Sequence, residues 1–199
     1  MDTSLNEKQQ EHVNHVYSGG KHLLSLIDEI LDLERVATGK VELVMESVDM
    51  REVIQECERL TRSQAKMRKI QLTNLLPAND ACLVWADKKR PIQAVLNLVS
   101  NARKYNHDAG HVESSCEAMA NNQTRIKVRD EGLGINEQNM NQLFEPFSRL
   151  GAKNTNVEDT GITLTITKNL VVPLGGGIVA ESIHGVGSTF SIILPTTPG

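Results

Sequence analysis

The sequence predicts an α+β fold, in which a mixed, largely antiparallel sheet forms one layer, helices form the other, and one long helix precedes both. Three features lead to this prediction. Apolar residues recur at helical three- and four-residue steps in 5–37, 49–68 and 89–106. Short stretches of alternating apolar and polar residues lie between and after these helices. Turn residues at 121–122 and 183–187 join such stretches into hairpins, which makes at least part of the sheet antiparallel.

The composition indicates a globular chain with no electrostatic footprint for nucleic acid. Of its 199 residues, 39% are hydrophobic, 23% are charged and only 3% are aromatic, so the core must be aliphatic. The formal net charge is −4, which gives neither nucleic acid nor an anionic membrane a basic surface to bind. No segment approaches the roughly 20 apolar residues of a membrane helix. Cys57, Cys82 and Cys116 are far apart, and we expect them to be buried cytosolic thiols.

The N-terminal segment is predicted to be one helix over 5–37, with Gly39 as its C-cap. Its apolar stripe consists of Leu23, Leu26, Ile27, Ile30, Leu31 and Leu33. A helix with such a stripe outside a compact domain needs a partner, which could be a second helix, a second chain or the domain that follows. We therefore place a boundary after residue 40, between a helical unit at 1–40 and a main domain at 41–199.

The main domain is predicted to start with a strand at about 41–48 and a helix that Asp49 caps. Pro91 lies near the start of the next helix, where proline is tolerated. The other predicted elements are strands at 70–76, 82–87, 110–119, 124–130, 176–182 and 187–195, a short helix at 136–147 and a mobile loop at 148–159.

The helix at 89–106 carries a polar face that suits a cation and a phosphate chain. Asn97, Asn101 and Lys104 share this face, because steps of four and three residues return to the same side of a helix. The opposite face is apolar, with Ile92, Val95, Leu96 and Val99. An amide oxygen is an acceptable Mg²⁺ ligand, and a lysine ammonium pairs with phosphate. From these residues alone, the alternative is an ordinary exposed polar face.

The predicted strand at 124–130 ends in an acidic residue followed by two glycines, Asp130, Gly132 and Gly134. Two interpretations are open. Glycine supplies a positive φ cheaply, so the segment could be a plain turn. Alternatively, the backbone approaches a ligand closely here and the carboxylate fixes the orientation of the ligand. The hexapeptide alone favours the turn.

Four motifs in order resemble the ATP-binding catalytic domain of sensor histidine kinases, in the GHKL ATPase superfamily. The residues at 96–106 match the asparagine box, and those at 174–195 match the closing segment. The first glycine box is matched by Asp130, Gly132, Gly134 and Ile135, and the phenylalanine box by Phe144, Pro146 and Phe147. The helix at 19–43 also resembles the second helix of the dimerisation region of that family. The likeness spans about 15–195, and although each motif is weak alone, four in sequence are specific.

The resemblance implies an adenine site. Asp130 would accept the exocyclic amine of adenine, and the glycines at 132 and 134 would let the backbone pass close to the nucleotide. Tyr105 would line the adenine pocket. Phe144 and Phe147 would hold the base of a lid at about 148–160, with plain core packing as their alternative. The nucleotide-contacting set is completed by Ile135, Thr160, Gly161 and Thr189.

The resemblance also implies a Mg-ATP phosphate site on the polar face of the helix at 89–106. Asn101 would ligate Mg²⁺, Asn97 would lie beside the phosphates and Lys104 would contact phosphate. Catalysis of phosphoryl transfer would then depend on positioning and on charge neutralisation, since a histidine nucleophile is largely neutral near pH 7.

The chain departs from the resemblance at the second glycine box, where the family has Gly-x-Gly-x-Gly-Leu at a phosphate-binding helix start. Gly161 remains, but Asp159 and Thr163 occupy the other two glycine positions. A carboxylate at 159 would repel phosphate, unless it serves as an N-cap. By periodicity alone, 162–167 is predicted to be a strand. Pro173 should end or kink a helix continuing through this region.

The phosphoacceptor motif of the family, His-Glu followed by Thr or Asn and Pro-Leu, does not occur in the sequence. His12, His15 and His22 are not followed by that pattern. Residues 1–40 would then be a partial dimerisation and phosphotransfer region without its acceptor helix, and 41–199 the ATP-binding catalytic domain. Either the chain is a fragment cut between the two helices, or the native protein lacks the acceptor. We expect no autophosphorylation by the isolated chain.

The resemblance implies a response regulator or receiver domain as partner, a phosphoacceptor helix supplied elsewhere and a homodimer through the N-terminal helix. From charge and apolar run length we expect no nucleic acid partner and no membrane segment in this chain. The expected location is cytoplasmic, or the cytoplasmic part of a membrane-bound sensor. Two functions stay open: a histidine-kinase catalytic-core fragment that binds Mg-ATP, or a degenerate non-catalytic domain used in docking or regulation, with weak or no ATP binding. A protein-serine kinase of the anti-sigma type is disfavoured by the dimerisation-type helix.

Overall fold

A computed structural model of the chain describes residues 6, 8–10, 12–13, 16–17, 19–20, 43–76, 82–148 and 161–196. The chain divides into two compact units, Met1–Glu42 and Leu43–Gly199. The functions expected for the two segments stay predictions. Most of the predicted helix at 5–37, including His15 and His22, and the predicted lid beyond residue 148 lie outside the described residues.

A reciprocal pair of hydrogen bonds begins the helix of the first unit. Asn6 Oδ1 accepts from Gln9 N at 2.8 Å, and Gln9 Oε1 accepts from Asn6 N at 3.0 Å. This is the capping-box arrangement, which satisfies two backbone donors at a helix start. The described residues between 8 and 20 are helical, and His12 among them is exposed.

The second unit is built on a five-stranded sheet of order β2-β4-β5-β7-β6 and a two-stranded sheet of β1 and β3. The strands are β1 Glu46–Asp49, β2 Gln71–Leu75, β3 Leu83–Ala86, β4 His111–Met119, β5 Gln123–Asp130, β6 Gly177–Ile183 and β7 Gly187–Pro195. Strand β2 pairs with β4 in parallel, and the other neighbours are antiparallel. The sheet is therefore mixed and largely antiparallel, as predicted.

Helices cover one face of the larger sheet. They are α1 Met50–Met67, α2 Lys89–Lys104, α3 Glu137–Met140 and α4 Thr163–Val171, with a 3₁₀ turn at Val172–Leu174. Helix α2 packs between α1 and α4, and all three contact the sheet. Their buried apolar residues include Ile54, Val95, Leu98, Val99, Ile166 and Val171. None of the helices in the described ranges is long and apolar enough to cross a membrane.

Strand alternation gives the larger sheet one buried and one solvated face. In β5, Thr124, Ile126, Val128 and Asp130 are buried, and the basic residues between them lie on the other face. On that outer face Glu117 Oε1 pairs with Lys127 Nζ at 2.7 Å. Asp130 is thus the last residue of a series that otherwise builds the core.

The hairpin predicted around 121–122 is confirmed. Strands β4 and β5 pair from Met119 opposite Gln123 onward, and Asn121 and Asn122 between them have φ values of 67° and 54°. Asparagine tolerates this left-handed region better than most residues do. The strand predicted at about 41–48 is shorter and later than expected, since β1 starts at Glu46.

The strand predicted by periodicity at 162–167 is wrong, because this segment starts helix α4. Its buried residues, Ile166, Thr167, Leu170 and Val171, follow helical spacing. The threonine hydroxyls find acceptors: Thr167 Oγ1 donates to Thr163 O at 2.8 Å, and Thr165 Oγ1 donates to Phe144 O at 3.2 Å. Pro173 lies in the 3₁₀ turn, where the α-helix has ended.

The expectation of three separate thiols is also wrong. Cys82 and Cys116 form a disulfide, with their Cα atoms 6.2 Å apart. They are 34 residues apart in sequence, so their proximity depends on strand packing that spacing alone does not reveal. Cys57 is free and buried, and burial raises the pKa of its thiol to about 12.

Replacing Asp49 by alanine is expected to lower the free energy of unfolding by about 1 kcal/mol, because Arg51 N loses its acceptor Asp49 Oδ1 at 2.9 Å. Hydrogen bonding to the Arg51 side chain holds the pKa of Asp49 below its usual range. The stability contributed by ionised Asp49 is therefore present above about pH 4 and is lost as the pH falls through the lowered pKa. Urea unfolding followed by circular dichroism at pH 7 and pH 3 measures both effects.

Glu56→Ala is the matched control for this prediction. It removes the carboxylate of an exposed ion pair with Arg59 in the same helix, and exposed pairs contribute little. Equal losses in the two variants would contradict the capping role of Asp49, as would an undiminished loss at pH 3.

Candidate functional site

A cavity of about 350 Å³ opens between the end of β5, the C-terminal end of α2, the start of α4 and the β6–β7 turn. Its apolar lining comes from Leu133, Ile135, Leu143, Leu164 and Phe190. Polar groups converge on the same space, namely Asn101, Tyr105, Asp130, Asn136, Asn139 and Ser188. An apolar cavity with a few convergent polar groups is typical of small-molecule sites.

Asp130 is the buried acid of this cavity. Its residue surface is 5% exposed, and its Oδ1 accepts from Gly132 N at 2.8 Å. Burial raises the pKa of Asp130 to about 6, and backbone hydrogen bonds from Gly132 and Ser188 partly oppose that rise. A carboxylate offers about four acceptor positions, so two backbone donors leave room for an N–H group of a ligand.

The segment that follows Asp130 is held between two neighbouring parts of the backbone. Leu133 N donates to Tyr105 O at 3.1 Å, and Gly185 N donates to Leu133 O at 2.8 Å. A β-carbon at Gly132 would collide with Tyr105 O, and one at Gly134, whose φ is 61°, would collide with Ile183 O. The close approach that requires these glycines is therefore to the backbone of the chain itself. The positive φ of Gly134 fits the turn interpretation, and a close approach of this backbone to a nucleotide stays a prediction.

Asn97, Asn101 and Lys104, which were expected to share one polar face of α2, lie in three different environments. Asn101 is buried and lines the cavity. Asn97 lies deeper: its Nδ2 donates to Thr167 Oγ1 at 3.2 Å, and its Oδ1 accepts from Gln93 Nε2 at 3.2 Å. Lys104 is outside the lining, with its Nζ 6.0 Å from the centre of the Tyr105 ring. In this structure only Asn101 of the three borders the cavity.

Only the second half of the second glycine box, from Gly161 onward, lies among the described residues. Gly161, with φ 69°, and Thr163 line the cavity, and a β-carbon at Gly161 would press on the backbone of 147–148. Asp159 and Thr160 lie outside the described residues. The bulk of Thr163 therefore enters the cavity wall, at the position where the resemblance predicts glycine.

Neither phenylalanine of the matched box lines the cavity or lies in the core. Phe147 is 74% exposed and has a φ of 63°. Phe144 is half-buried, lies 5.9 Å from Lys168 Nζ and is tied through its carbonyl to Thr165 of α4. The lid role of these residues stays a prediction, and core packing does not describe Phe147.

Strand β7 presents Ser188 and Phe190 to the cavity, rather than the expected Thr189. The reason is register: Asp130 pairs with Ser188, and residues two apart in a strand share a face. Alternation from the buried Phe190 would have identified Ser188 from sequence. Leu133, Asn136, Asn139, Leu143, Ser148, Leu164 and His184 were also not predicted, because loop and helix-end residues carry no comparable periodic signal.

The described residues contain no group of three or more His, Cys, Asp or Glu side chains that could hold a metal ion.

Sequence comparison identifies relatives across almost the whole chain. The histidine protein kinase DivJ of Caulobacter vibrioides is 32% identical over 96% of this chain, and the chain covers 32% of it. The circadian input-output histidine kinase CikA of Synechococcus elongatus is 34% identical over 96% of this chain, which covers 26% of CikA. The chain thus spans a third or less of these curated relatives.

Two solved structures have the same fold. The full-length ShkA complex with AMPPNP matches with a TM-score of 0.81 and 25% identity over 100% of this chain and 41% of ShkA. The mycobacterial sensor histidine kinase MprB matches with a TM-score of 0.69 and 26% identity over 77% of this chain and 100% of that structure. These similarities confirm the predicted fold class.

A family model matches residues 86–198, which hold the cavity and its Asp130. The chain belongs to the histidine kinase-, DNA gyrase B- and HSP90-like ATPase family.

Proposed function

We propose that this chain is a catalytic-core fragment of a two-component sensor histidine kinase that binds Mg-ATP. One observation carries the proposal: a buried carboxylate, Asp130, borders a largely apolar cavity, with the amide of Asn101 in the same lining. An apolar space bounded by one acceptor suits a purine that presents an exocyclic amine. A nearby amide suits the metal-bound phosphates that would follow the base.

The adenine side of the cavity fits this ligand. A base would lie among Leu133, Ile135 and Phe190, where burial of apolar surface contributes about 25 cal/mol per Å². The exocyclic amine would donate to the Asp130 carboxylate. Tyr105 would border the base from the end of α2.

The phosphate side supplies fewer groups. Asn101 would contribute an amide oxygen to Mg²⁺, which in nucleotide sites takes its other ligands from phosphates and water. Mg²⁺ would neutralise developing charge on the transferred phosphoryl group. We propose that Asn97 and Lys104 support this region, Asn97 by holding α2 to α4 through Thr167 and Lys104 as a charge near the phosphates.

We propose phosphoryl transfer from ATP to a histidine nitrogen on a helix supplied elsewhere, with ADP leaving. The sequence alignments cover 96% of the chain, so they extend into the N-terminal segment, which supports a dimerisation role for residues 1–40. A response regulator or receiver domain would then be the next phosphoryl acceptor. A cytoplasmic location and a homodimer through the N-terminal helix are part of the same proposal.

A second function, a degenerate domain used for docking, is favoured by one observation. Thr163 begins α4 and lines the cavity, at the position where a phosphate-binding glycine is expected. A β-branched side chain there keeps phosphate away from the backbone N–H groups of the helix start. This alternative keeps the adenine side intact and weakens only the phosphate side.

Calorimetric titration with adenosine, Mg-ADP and a non-hydrolysable ATP analogue tests the proposal. Asp130→Asn is expected to weaken all three by about tenfold or more, because its amide NH₂ faces the amine of adenine as a second donor. The variant still offers an Oδ1 to Gly132 N, so the fold should persist. Glu117→Gln, on the solvated face of the same sheet, is the matched control and should bind as the wild type does. Equal affinities of Asp130→Asn and wild type would refute the adenine site.

The affinity for adenosine is expected to fall as the pH falls through about 6, because protonated Asp130 loses acceptor capacity. At pH 5 about one tenth of the carboxyl groups are ionised, so binding should be about tenfold weaker than at pH 7. The opposite sign holds for folding: the native state binds this proton more tightly than the unfolded chain, so stability falls as pH rises toward 6. Adenosine is the probe because it has no phosphate that titrates in this range, and a flat profile would contradict the assignment.

Thr163→Gly is expected to tighten Mg-ADP several-fold while leaving adenosine unchanged, because it opens the helix start to phosphate. Thr163→Ala is the matched variant, since it removes the branched bulk but keeps a β-carbon. Equal effects on both ligands would show that Thr163 does not obstruct phosphate. Tight Mg-ADP binding by the wild type, lost with EDTA, would exclude the degenerate domain.

A further inference from the structure

We propose that Arg68, at the C-terminal end of α1, is a positioning residue for the adenine side of the cavity. This inference rests on the proposed function of the cavity. Arg68 is not among the lining residues. It acts by fixing the loop at 105–110, which connects α2 to β4 and begins with Tyr105.

The side chain of Arg68 binds the C-terminal end of α2 with most of its donors. Its Nη1 donates to Arg103 O at 2.8 Å and to Lys104 O at 3.2 Å, and its Nη2 donates to Asn106 O at 2.7 Å. The last carbonyls of a helix have no partner within the helix, and a cation placed there is also favoured by the helix dipole. One guanidinium therefore satisfies three carbonyls around Tyr105.

The far end of the loop is attached to the same residue. Arg68 Nε donates to Asp108 Oδ1 at 2.9 Å, and Ala109 N donates to Arg68 O at 2.9 Å. Inside the loop, Asn106 is 5% exposed, and its Nδ2 donates to His111 O at 3.0 Å. The loop is thereby held at its start by the Arg68 side chain, at its far end chiefly by the backbone of Arg68, and through Asn106 by the start of β4.

The fastened loop determines where the cavity wall lies. Tyr105 O accepts from Leu133 N at 3.1 Å. The same carbonyl occupies the space that a β-carbon at position 132 would need, so glycine is required there. Leu133 and Tyr105 both line the cavity. A displacement of the Tyr105 carbonyl would therefore move the wall beside Asp130, without any contact between Arg68 and the ligand.

The choice of arginine follows from geometry and charge. A planar guanidinium presents five donors in a fixed fork, which suits several carbonyls at once. Burial, and secondarily the nearby Arg68 charge, lowers the pKa of Arg103. The two cations therefore oppose each other, and the carbonyl bonds of Arg68 must offset that repulsion. The Asp108 side chain is 79% exposed, so its ion pair contributes little.

Two measurements on the full chain test the inference: adenosine and Mg-ADP affinity by calorimetry, and hydrogen exchange of the Leu133 amide by NMR. Arg68→Ala should weaken the binding of both ligands by the same factor, because the base side of the cavity that both share is displaced. The expected loss is about tenfold, the equivalent of about one hydrogen bond. The Leu133 amide should exchange faster, because its acceptor at Tyr105 is less well fixed. Arg68→Lys should recover part of both losses, since it keeps the charge but not the fork.

Two control variants separate positioning from stability. Arg59→Ala makes the same charge change on the same helix, at a side chain paired with Glu56, and should alter neither measurement. Asp49→Ala weakens the other end of α1 and should leave adenosine affinity unchanged. A loss of affinity in Asp49→Ala equal to that in Arg68→Ala would mean that general stability governs binding, and would overturn the inference.

The remaining outcomes are distinct. Unchanged affinity and unchanged Leu133 exchange in a folded Arg68→Ala would overturn the inference. If Arg68→Ala does not fold, Arg68→Lys is decisive, and wild-type values in both measurements would overturn it. If the wild type binds neither adenosine nor Mg-ADP, the proposed function fails, and Leu133 exchange alone decides whether Arg68 holds this wall.

Discussion

The cavity depends on two backbone hydrogen bonds that hold Leu133 between different parts of the fold. Tyr105 O accepts from Leu133 N, and Leu133 O accepts from Gly185 N. The first bond joins the exit of β5 to the end of α2, and the second joins it to the β6–β7 turn. Each bond contributes only about 1 kcal/mol net. Together they determine how far the wall stands from Asp130, and glycine is required at 132 and 134 because both approaches are backbone to backbone.

Much of this arrangement could be predicted from sequence, because alternation and capping are local. Asp130 follows Ile126 and Val128 at intervals of two, so a strand with one buried face places the carboxylate on that face. Asp49 predicts the start of α1, because an N-cap residue precedes a helical apolar pattern there. The two Asn residues of the β4–β5 turn are a further local signal.

The sequence-based predictions that were wrong have a common cause, since each of them depends on contacts between residues distant in sequence. The strand-like alternation at 162–167 is overridden by a helix that buries Ile166 and Leu170. Within it, Thr167 accepts from Asn97 of α2 and Thr165 donates to Phe144 O. Thr189 is expected to contact the nucleotide, whereas the pairing of Ser188 with Asp130 turns Ser188 toward the cavity. Asn97 shares a helical face with Asn101, yet a neighbouring helix covers it. Periodicity identifies a face but not what lies against it.

The composition of α4 has a consequence for the order in which the domain assembles and loosens. A nine-residue helix has little stability alone in water, and three of its first five residues are threonines, whose branched side chains disfavour helix. Its helical form is therefore stabilised by packing against the sheet and α2, and we expect α4 to form late in folding. Loss of its packing against α2 would therefore unfold α4 as well. The side of the cavity formed by α4 thus depends on that packing, whereas β5, the strand that carries Asp130, is paired along both of its edges.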